Sequence, residues 1–297
     1  MQEYKKYLQP KYVSQLESLE LKARLVVEGF ITGMHRSPYH GFSVEFAEHR
    51  QYQQGDELRY IDWKVFARTN KYFVKQFEEE TNLRALIAVD VSGSMGYASK
   101  GNISKLEYAT YLAASLSYLI IKQKDACGLA IYHNEVVDYL PSRAKISYIQ
   151  ELLQRLDAIK PANTTNTASA LHSLVERISR RGIVILISDF FDDVDKIKQS
   201  IRHFRHNHHE MIVLQLLDPR EVDFKFGFAT AFKDMETAEE MSTVPNQIQH
   251  SYKNAIEQHC NAIRNICRQQ KVDYHLITTD QPFDKALREY MVKRNSL

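Results

Sequence analysis

Cysteine is scarce in this sequence, which has only Cys127, Cys260 and Cys267 among its 297 residues. The number is odd and no Cys-x-x-Cys pair occurs. We therefore expect reduced thiols rather than a disulfide framework or a zinc ribbon. An excess of one charge is also lacking, because 39 Lys and Arg stand against 37 Asp and Glu, a net charge of +2. This near neutrality argues against nucleic acid as a partner.

Long hydrophobic runs are lacking as well. The longest apolar stretch, residues 111–121, contains Ser115 and Ser117 and is too short to cross the roughly 30 Å of hydrocarbon in a bilayer. The first ten residues have no apolar core of the kind found in signal peptides. We therefore expect no membrane span and a cytoplasmic location.

What is present is an ordinary globular mixture, with 44% hydrophobic and 26% charged residues in a chain long enough to bury a large core. Residues 1–80 begin with an amphipathic pattern at 13–30, which predicts a helix. Short strand-like runs follow at 42–46, 60–66 and 72–77. This pattern predicts an N-terminal domain, 1–80, made of a helix and a small β module that packs on the next domain.

Residues 81–297 alternate strand-like and helical patterns, which is typical of a mostly parallel, doubly wound sheet with helices on both faces. The continuous β-branched run at 183–188 predicts a strand that is covered on both sides. Ser104 and Glu107 form a potential capping box ahead of a helical pattern that reaches residue 124. The stretch 219–246 interrupts the alternation and predicts a hairpin insertion. The second domain, 81–297, is therefore expected to be α/β.

Two acids stand at predicted strand ends, where open α/β sheets collect ligands. Asp90 closes the first strand of the alternating region and starts the sequence Asp90-Val-Ser92-Gly-Ser94, while Asp189 follows the strand at 183–188. A carboxylate and two hydroxyls in one loop are hard oxygen donors that suit Mg²⁺. A threonine-rich loop at 163–167 offers a further hydroxyl. The plain alternative is a polar turn with a helix cap.

These residues resemble the metal-ion-dependent adhesion site (MIDAS) of von Willebrand factor A domains, in which an Asp-x-Ser-x-Ser triad, a threonine and a later aspartate hold the metal. Thr164 is a rival to Thr165 because the usual Gly-Gly-Thr is replaced here, and Phe190 stands where many members have glycine. The resemblance implies a von Willebrand factor A-like fold and Mg²⁺, with Mn²⁺ or Ca²⁺ as alternatives. The ligands that it implies are Asp90, Ser92, Ser94, Thr165 and Asp189.

The segment before Asp90 indicates a more specific family. Its pattern is Arg-x-Tyr-x-x-Gly-Asp from residue 50, Arg-x-Ile-Asp-Trp from residue 59 and Ala-Arg at 67–68, which resembles the hallmark of the domain-of-unknown-function 58 family. Members of that family are usually encoded beside MoxR-type AAA+ ATPases and are thought to work with them as chaperone-like factors. The resemblance thus implies an ATPase of this type as the partner.

The charged and aromatic residues of this upstream segment have two interpretations. They could tie the N-terminal module to the second domain, or they could form a docking face for a partner, since Arg and Trp are typical anchors. The residues concerned are Arg36, Arg50, Asp56, Arg59, Asp62, Trp63 and Arg68.

The function predicted from the sequence is a metal-dependent protein–protein interaction module that assembles or activates complexes together with a MoxR-type ATPase. Five donors leave one Mg²⁺ position open for an acidic side chain of the partner. We expect no catalytic residues and no enzymatic activity. One alternative is a metal-dependent hydrolase with a two-metal site among Asp189, Asp192, Asp193 and Asp195, although Asp193 is better placed as a helix cap. The other alternative is a scaffold whose metal site stays empty.

Overall fold

The structure is a computed structural model, and it describes residues 8–35, 50–51, 63–74, 83–162, 167–226, 230–233, 240–243 and 245–296. Two compact units are present, one formed by Met1–Gly33 with Asn82–Leu297 and the other by Met34–Thr81. Most of the first long helix therefore belongs to the larger unit, whereas the sequence pattern grouped it with the β module. The division into functional domains remains a prediction.

The helices of the described residues are α1 (Pro10–Val13), α2 (Leu19–His35), α3 (Trp63–Thr69), α4 (Lys105–Lys122), α5 (Tyr148–Asp157), α6 (Thr167–Arg177), α7 (Val194–His206), α8 (Pro219–Asp223), α9 (Pro245–Gln269) and α10 (Asp284–Asn295). The strands are β1 (Arg50–Gln51), β2 (Phe73–Val74), β3 (Arg84–Asp90), β4 (Ala126–Tyr132), β5 (Val136–Arg143), β6 (Ile183–Ser188), β7 (Glu210–Leu217), β8 (Thr230–Lys233), β9 (Glu240–Thr243) and β10 (Asp273–Thr278).

The larger unit is built on a six-stranded sheet with the order β10-β7-β6-β3-β4-β5. All neighbouring strands are parallel except β5, which runs antiparallel to β4. This confirms the predicted α/β class with a mostly parallel sheet flanked by helices. The strands β3, β6 and β7 are almost wholly buried, which explains their continuous apolar sequences.

The chain builds this sheet outwards from its middle. It first adds β4 and β5 on one side of β3, and then returns to add β6, β7 and β10 on the other side. The order therefore reverses between β3 and β6, and at such a switch point the connections leave in opposite directions and open a crevice at the carboxyl ends of the strands. Asp90 ends β3 and Asp189 follows β6, so both acids lie at this crevice.

Helix α4 begins with the predicted capping box. The Glu107 amide donates to Ser104 Oγ at 3.1 Å, and the Ser104 amide donates to Glu107 Oε2 at 3.0 Å. This pair satisfies two amides that a helix start leaves without partners. On one face of the sheet, side chains of α6, α7 and α9 pack against β3, β6 and β7, and the fully buried Leu171, Ile201 and Ile263 belong to this core. The three cysteines are free and buried.

The insertion between α8 and α9 contains a short antiparallel hairpin, in which Thr230 pairs with Thr243 and Lys233 with Glu240. In the smaller unit, β1 and β2 form an antiparallel pair. The strand expected over 60–66 was wrong, because residues from Trp63 onwards form α3. The rings of Trp63 and Phe66, three residues apart, meet edge to face at 6.0 Å, as one turn of helix allows.

Candidate metal centre

Asp90 is fully buried at the end of β3, and both of its carboxylate oxygens accept hydrogen bonds. The Ser92 amide donates to Oδ1 at 2.9 Å, and the Ser188 hydroxyl donates to Oδ2 at 2.6 Å. The register of the sheet, with Val89 beside Ile187, brings Ser188 next to Asp90. The carboxylate is therefore held in one orientation by the loop that follows β3 and by the last residue of β6.

Ser92 and Ser94 stand together directly after this strand. Their Oγ atoms are 3.2 Å apart, and the 3₁₀ turn Gly93–Gly96 sets their spacing. Two ligands on adjacent corners of an octahedron with bonds of roughly 2.1 Å lie about 3 Å apart. The hydroxyl pair therefore matches the spacing of two neighbouring Mg²⁺ ligands.

Asp189 comes directly after β6 and is almost fully buried. Its Oδ1 accepts from the Phe191 amide at 3.2 Å, and its backbone oxygen accepts from Gln215 Nε2 at 2.8 Å. The next residue, Phe190, has a φ of 58°, a left-handed conformation that favours glycine. Phe190 thus adopts this conformation although it is not glycine, and its ring is fully buried.

Lys105 is the main feature of the site that sequence reasoning missed. This first residue of α4 is fully buried, and its Nζ donates to Asp189 Oδ2 at 2.8 Å and to Glu221 Oε1 at 2.6 Å. One signal was available, because a cation in the first turn of a helix opposes the helix dipole. A lysine in the first turn of a helix is therefore expected to have acidic partners from other parts of the chain, which compensate its charge.

Asp218 ties the loop after Ser94 to the end of β7. Its Oδ2 accepts from the Ser99 amide at 2.9 Å and from the Ser99 hydroxyl at 3.0 Å. Its Oδ1 accepts from the Arg220 amide at 2.8 Å, and Glu221 Oε2 accepts from the Asp218 amide at 2.7 Å. These bonds cap α8 and hold Glu221 where it meets Lys105.

The site carries an excess of negative charge. Asp90, Asp189 and Asp218 are buried and Glu221 is partly buried, whereas Lys105 is the one buried lysine or arginine among the described residues. Burial, followed by the charge of Asp189, raises the pKa of Asp90 to about 7. Burial also raises the pKa of Glu221 above its usual value, although Lys105 opposes this. A further cation at the site would relieve these costs.

The Lys105 ammonium remains charged in this environment. Burial lowers its pKa, but the charges of Asp189 and Glu221, and the hydrogen bonds to them, outweigh burial and raise the pKa above its usual value. The aromatic ring of Phe191 adds a cation–π contact, with Nζ 4.9 Å from the ring centroid. The second carboxylate of the site is therefore already paired with a cation.

The donor chemistry of the described residues fits a hard divalent cation. Two carboxylates, of Asp90 and Asp189, and two hydroxyls, of Ser92 and Ser94, converge at one edge of the sheet, and oxygen donors of these types suit Mg²⁺. In the parts of the chain that are described, no three His, Cys, Asp or Glu side chains are grouped so that they could hold a metal. A metal here would thus depend on the serine hydroxyls as well as on the two carboxylates.

The acidic turn after β6 does not form a two-metal cluster within the described ranges. Asp193 instead caps α7, and its Oδ1 accepts from the amides of Asp195 at 2.8 Å and Lys196 at 3.2 Å. This confirms the prediction of a helix cap at Asp193. The alternative of a hydrolase with a two-metal site among Asp189, Asp192, Asp193 and Asp195 remains a prediction.

The predicted threonine ligand, Thr165, and its rival Thr164 lie outside the described residues. The same holds for four of the N-terminal candidates, Arg36, Asp56, Arg59 and Asp62. Their roles remain predictions.

Three N-terminal candidates lie in described elements of the smaller unit. Arg50 belongs to β1, Arg68 is exposed in the last turn of α3, and the side chain of Trp63 is 58% exposed at the start of that helix. Phe66, one turn after Trp63, stacks on Tyr72 at 4.4 Å. Whether these residues dock a partner or tie the two units together also remains a prediction.

Comparison with known proteins decides the family. The sequence pattern described as "Protein of unknown function DUF58" matches residues 48–262, which include Asp90, Ser92, Ser94 and Asp189 of the candidate metal centre. The chain belongs to the DUF58 family. The resemblance seen in the hallmark from Arg50 to Arg68 is thereby confirmed.

Curated relatives of this DUF58 protein add no function. Uncharacterized proteins of Mycobacterium tuberculosis and Mycobacterium bovis are each 28% identical to it over 231 residues, which are 77% of this chain and 72% of theirs. The match therefore extends over most of both chains.

Among solved structures, the conserved hypothetical protein BatB of Bacteroides thetaiotaomicron is 17% identical, with a TM-score of 0.45 over 72% of this chain and 100% of its own. The SpRpn10 VWA domain is 9% identical, with a TM-score of 0.40 over 70% of this chain and 95% of its own. These likenesses have no bearing on the function of this DUF58 protein. Separately, none of the helices in the described ranges combines the length and apolar character needed to cross a membrane.

Proposed function

We propose that this protein is a metal-dependent protein-interaction module that works as partner or adaptor of a MoxR-type AAA+ ATPase in assembling or activating protein complexes. The observation that carries the proposal is the convergence of Asp90 and Asp189 with the Ser92 and Ser94 hydroxyl pair at the switch point of the sheet. The resemblance to the DUF58 and von Willebrand factor A families supplies the class of partner.

Asp90, Ser92, Ser94 and Asp189 would hold the cation, together with a threonine of the 163–167 loop. A bound Mg²⁺ would supply a strong positive charge in a partly dry site, where it favours an acidic side chain of the partner. The protein contributes the rest, because the Ser92 amide and the Ser188 hydroxyl fix the orientation of Asp90. Burial disfavours the ionised form of Asp90 and raises its pKa to about 7. A cation bound beside the carboxylate would stabilise the ionised form.

We favour binding over hydrolysis because the serine hydroxyls are engaged with groups of the proposed metal centre itself. The Ser92 and Ser94 hydroxyls contact each other, and the Ser92 hydroxyl also bonds to the Asp90 carboxylate, which the proposal assigns to the metal. A carboxylate that holds a metal is not free to take a proton as a general base. The His259 ring nitrogen contacts the Phe190 carbonyl oxygen at 2.9 Å.

The proposal is tested by a pull-down of the MoxR-type ATPase encoded in the same genome. Wild type and Asp90→Asn are each used as bait, in buffer with Mg²⁺ and in buffer with EDTA. We expect the ATPase to be recovered only by wild type in Mg²⁺, because recovery requires both the metal and the carboxylate that holds it.

The matched control for this pull-down is Asp195→Ala, which removes an exposed carboxylate from the first turn of α7 and should bind like wild type. Equal recovery of the ATPase by wild type and Asp90→Asn, with and without chelator, would refute the metal bridge.

A further inference from the structure

Lys105 combines two placements that are each unfavourable for an ammonium group. It is fully buried, and it opens α4 at the positive end of the helix dipole. Burial of a charge is tolerated only when good partners compensate it. Asp189 Oδ2 and Glu221 Oε1 provide that compensation at 2.8 and 2.6 Å.

The two carboxylates of the candidate centre differ in what holds them. Asp90 accepts from neutral donors, namely the Ser92 amide, the Ser188 hydroxyl and the Ser92 hydroxyl. Asp189 accepts from the Phe191 amide on Oδ1 and from the Lys105 ammonium on Oδ2. A divalent cation that approaches Asp189 therefore meets a positive charge already in place, and like charges a few ångströms apart in a buried site repel strongly.

We propose that the Lys105 ammonium neutralises part of the negative charge of the site and thereby weakens the binding of divalent ions. This inference rests on the proposed function and concerns the regulation of the same site. With Lys105 on Asp189, the chain's own donors hold a metal only loosely. An acidic side chain from the partner adds the missing negative charge, so metal occupancy becomes coupled to partner binding.

Glu221 sets the strength of this effect. It shares the Lys105 ammonium with Asp189, and the Asp218 amide holds it in place through Oε2. If Glu221 is made neutral, the Lys105 ammonium pairs with Asp189 alone. The site also loses one negative charge. The two substitutions Lys105→Met and Glu221→Gln should therefore change metal affinity in opposite directions.

The test compares wild type, Lys105→Met and Glu221→Gln by calorimetric titration with Mg²⁺ and by thermal unfolding in Mg²⁺ and in EDTA. We expect Lys105→Met to bind Mg²⁺ about tenfold more tightly than wild type and Glu221→Gln to bind it more weakly. Lys105→Met should also unfold at a lower temperature than wild type in EDTA and recover most of that loss in Mg²⁺, since the metal replaces the lost ammonium charge.

Lys293→Met is the matched control. Lys293 also joins two carboxylates, with Nζ 2.7 Å from Glu210 Oε2 and 3.2 Å from Asp273 Oδ2, and its side chain is 13% exposed. Glu210 begins β7 and Asp273 begins β10, so both carboxylates lie at the amino-terminal ends of the parallel strands, whereas Asp90 lies at the carboxyl end of β3. Its loss of stability should be the same in Mg²⁺ and in EDTA.

Each outcome decides between the two proposals. If wild type binds Mg²⁺ and Lys105→Met binds it equally well or more weakly, the proposed role of Lys105 is wrong. The metal centre itself would still be supported. Absence of binding by both proteins would overturn the metal centre and with it this inference. If Lys105→Met is unfolded in EDTA, refolding in millimolar Mg²⁺ supports the inference, and failure to refold overturns it.

Discussion

Replacing Asp90 with asparagine is expected to lower the affinity for Mg²⁺ on the order of a hundredfold or more. The substitution keeps the shape of the side chain and removes a negative charge that is fully buried beside the Ser92 and Ser94 hydroxyls. The chain should remain folded, because the asparagine oxygen still accepts from the Ser92 amide and its nitrogen can donate to the Ser188 hydroxyl. Calorimetric titration and the rise of the unfolding temperature on adding Mg²⁺ measure the effect.

Asp195→Ala is again the appropriate control for charge alone, since it removes one carboxylate at the surface. It should bind Mg²⁺ like wild type. If Asp90→Asn and wild type show the same affinity and the same Mg²⁺-dependent stabilisation, the metal binds elsewhere or does not bind, and the strand-end site is wrong.

Replacing Gly182 with alanine is expected to cost about 3 kcal/mol of unfolding free energy or more. A Cβ atom at this position would overlap the backbone carbonyl oxygen of Arg84, so a strand rather than a side chain has to move. The close approach of Gly182 and Arg84 comes directly before the pairing of Ala85 with Ile183. The same register places Ser188 beside Asp90 at the other end of the two strands.

Gly101→Ala is the matched control for this substitution. Gly101 has a φ of 88°, but a methyl group added there would have no neighbouring atom within 4 Å, so alanine costs only the backbone strain, about 1 kcal/mol. Chemical denaturation of the two variants measures the difference. Equal losses would mean that β3 and β6 tolerate a shift at Gly182 and that their register is not tightly fixed.

Much of the sheet could be predicted because its strands are recognisable from local sequence. The run of β-branched and apolar residues at 183–188 coincides with β6, because a strand that is covered on both faces has no polar positions to interrupt it. The capping box of Ser104 and Glu107 was equally local, since its two residues lie three apart on one turn. Asp90 and Asp189 were found because strand ends are also defined locally.

The parts that were missed depend on contacts between distant residues or on competing local preferences. Lys105 meets Asp189 and Glu221 across 84 and 116 positions of the chain, and no local pattern pairs them. The expected strand over 60–66 failed for another reason. Tyr60, Ile61 and Val65 have high strand propensity, but this propensity depends strongly on context, and the chain forms α3 from Trp63 onwards.

The position of the metal can be measured by anomalous diffraction from crystals of the protein grown with Mn²⁺, which shares the preference of Mg²⁺ for oxygen ligands. We expect an anomalous peak at the carboxyl ends of β3 and β6, with Asp90, Ser92 and Ser94 in contact with it. The peak should be lost in crystals of Asp90→Asn grown in the same way. A map with no peak at this edge of the sheet, or a peak that persists unchanged in Asp90→Asn, would contradict a metal centre built on Asp90.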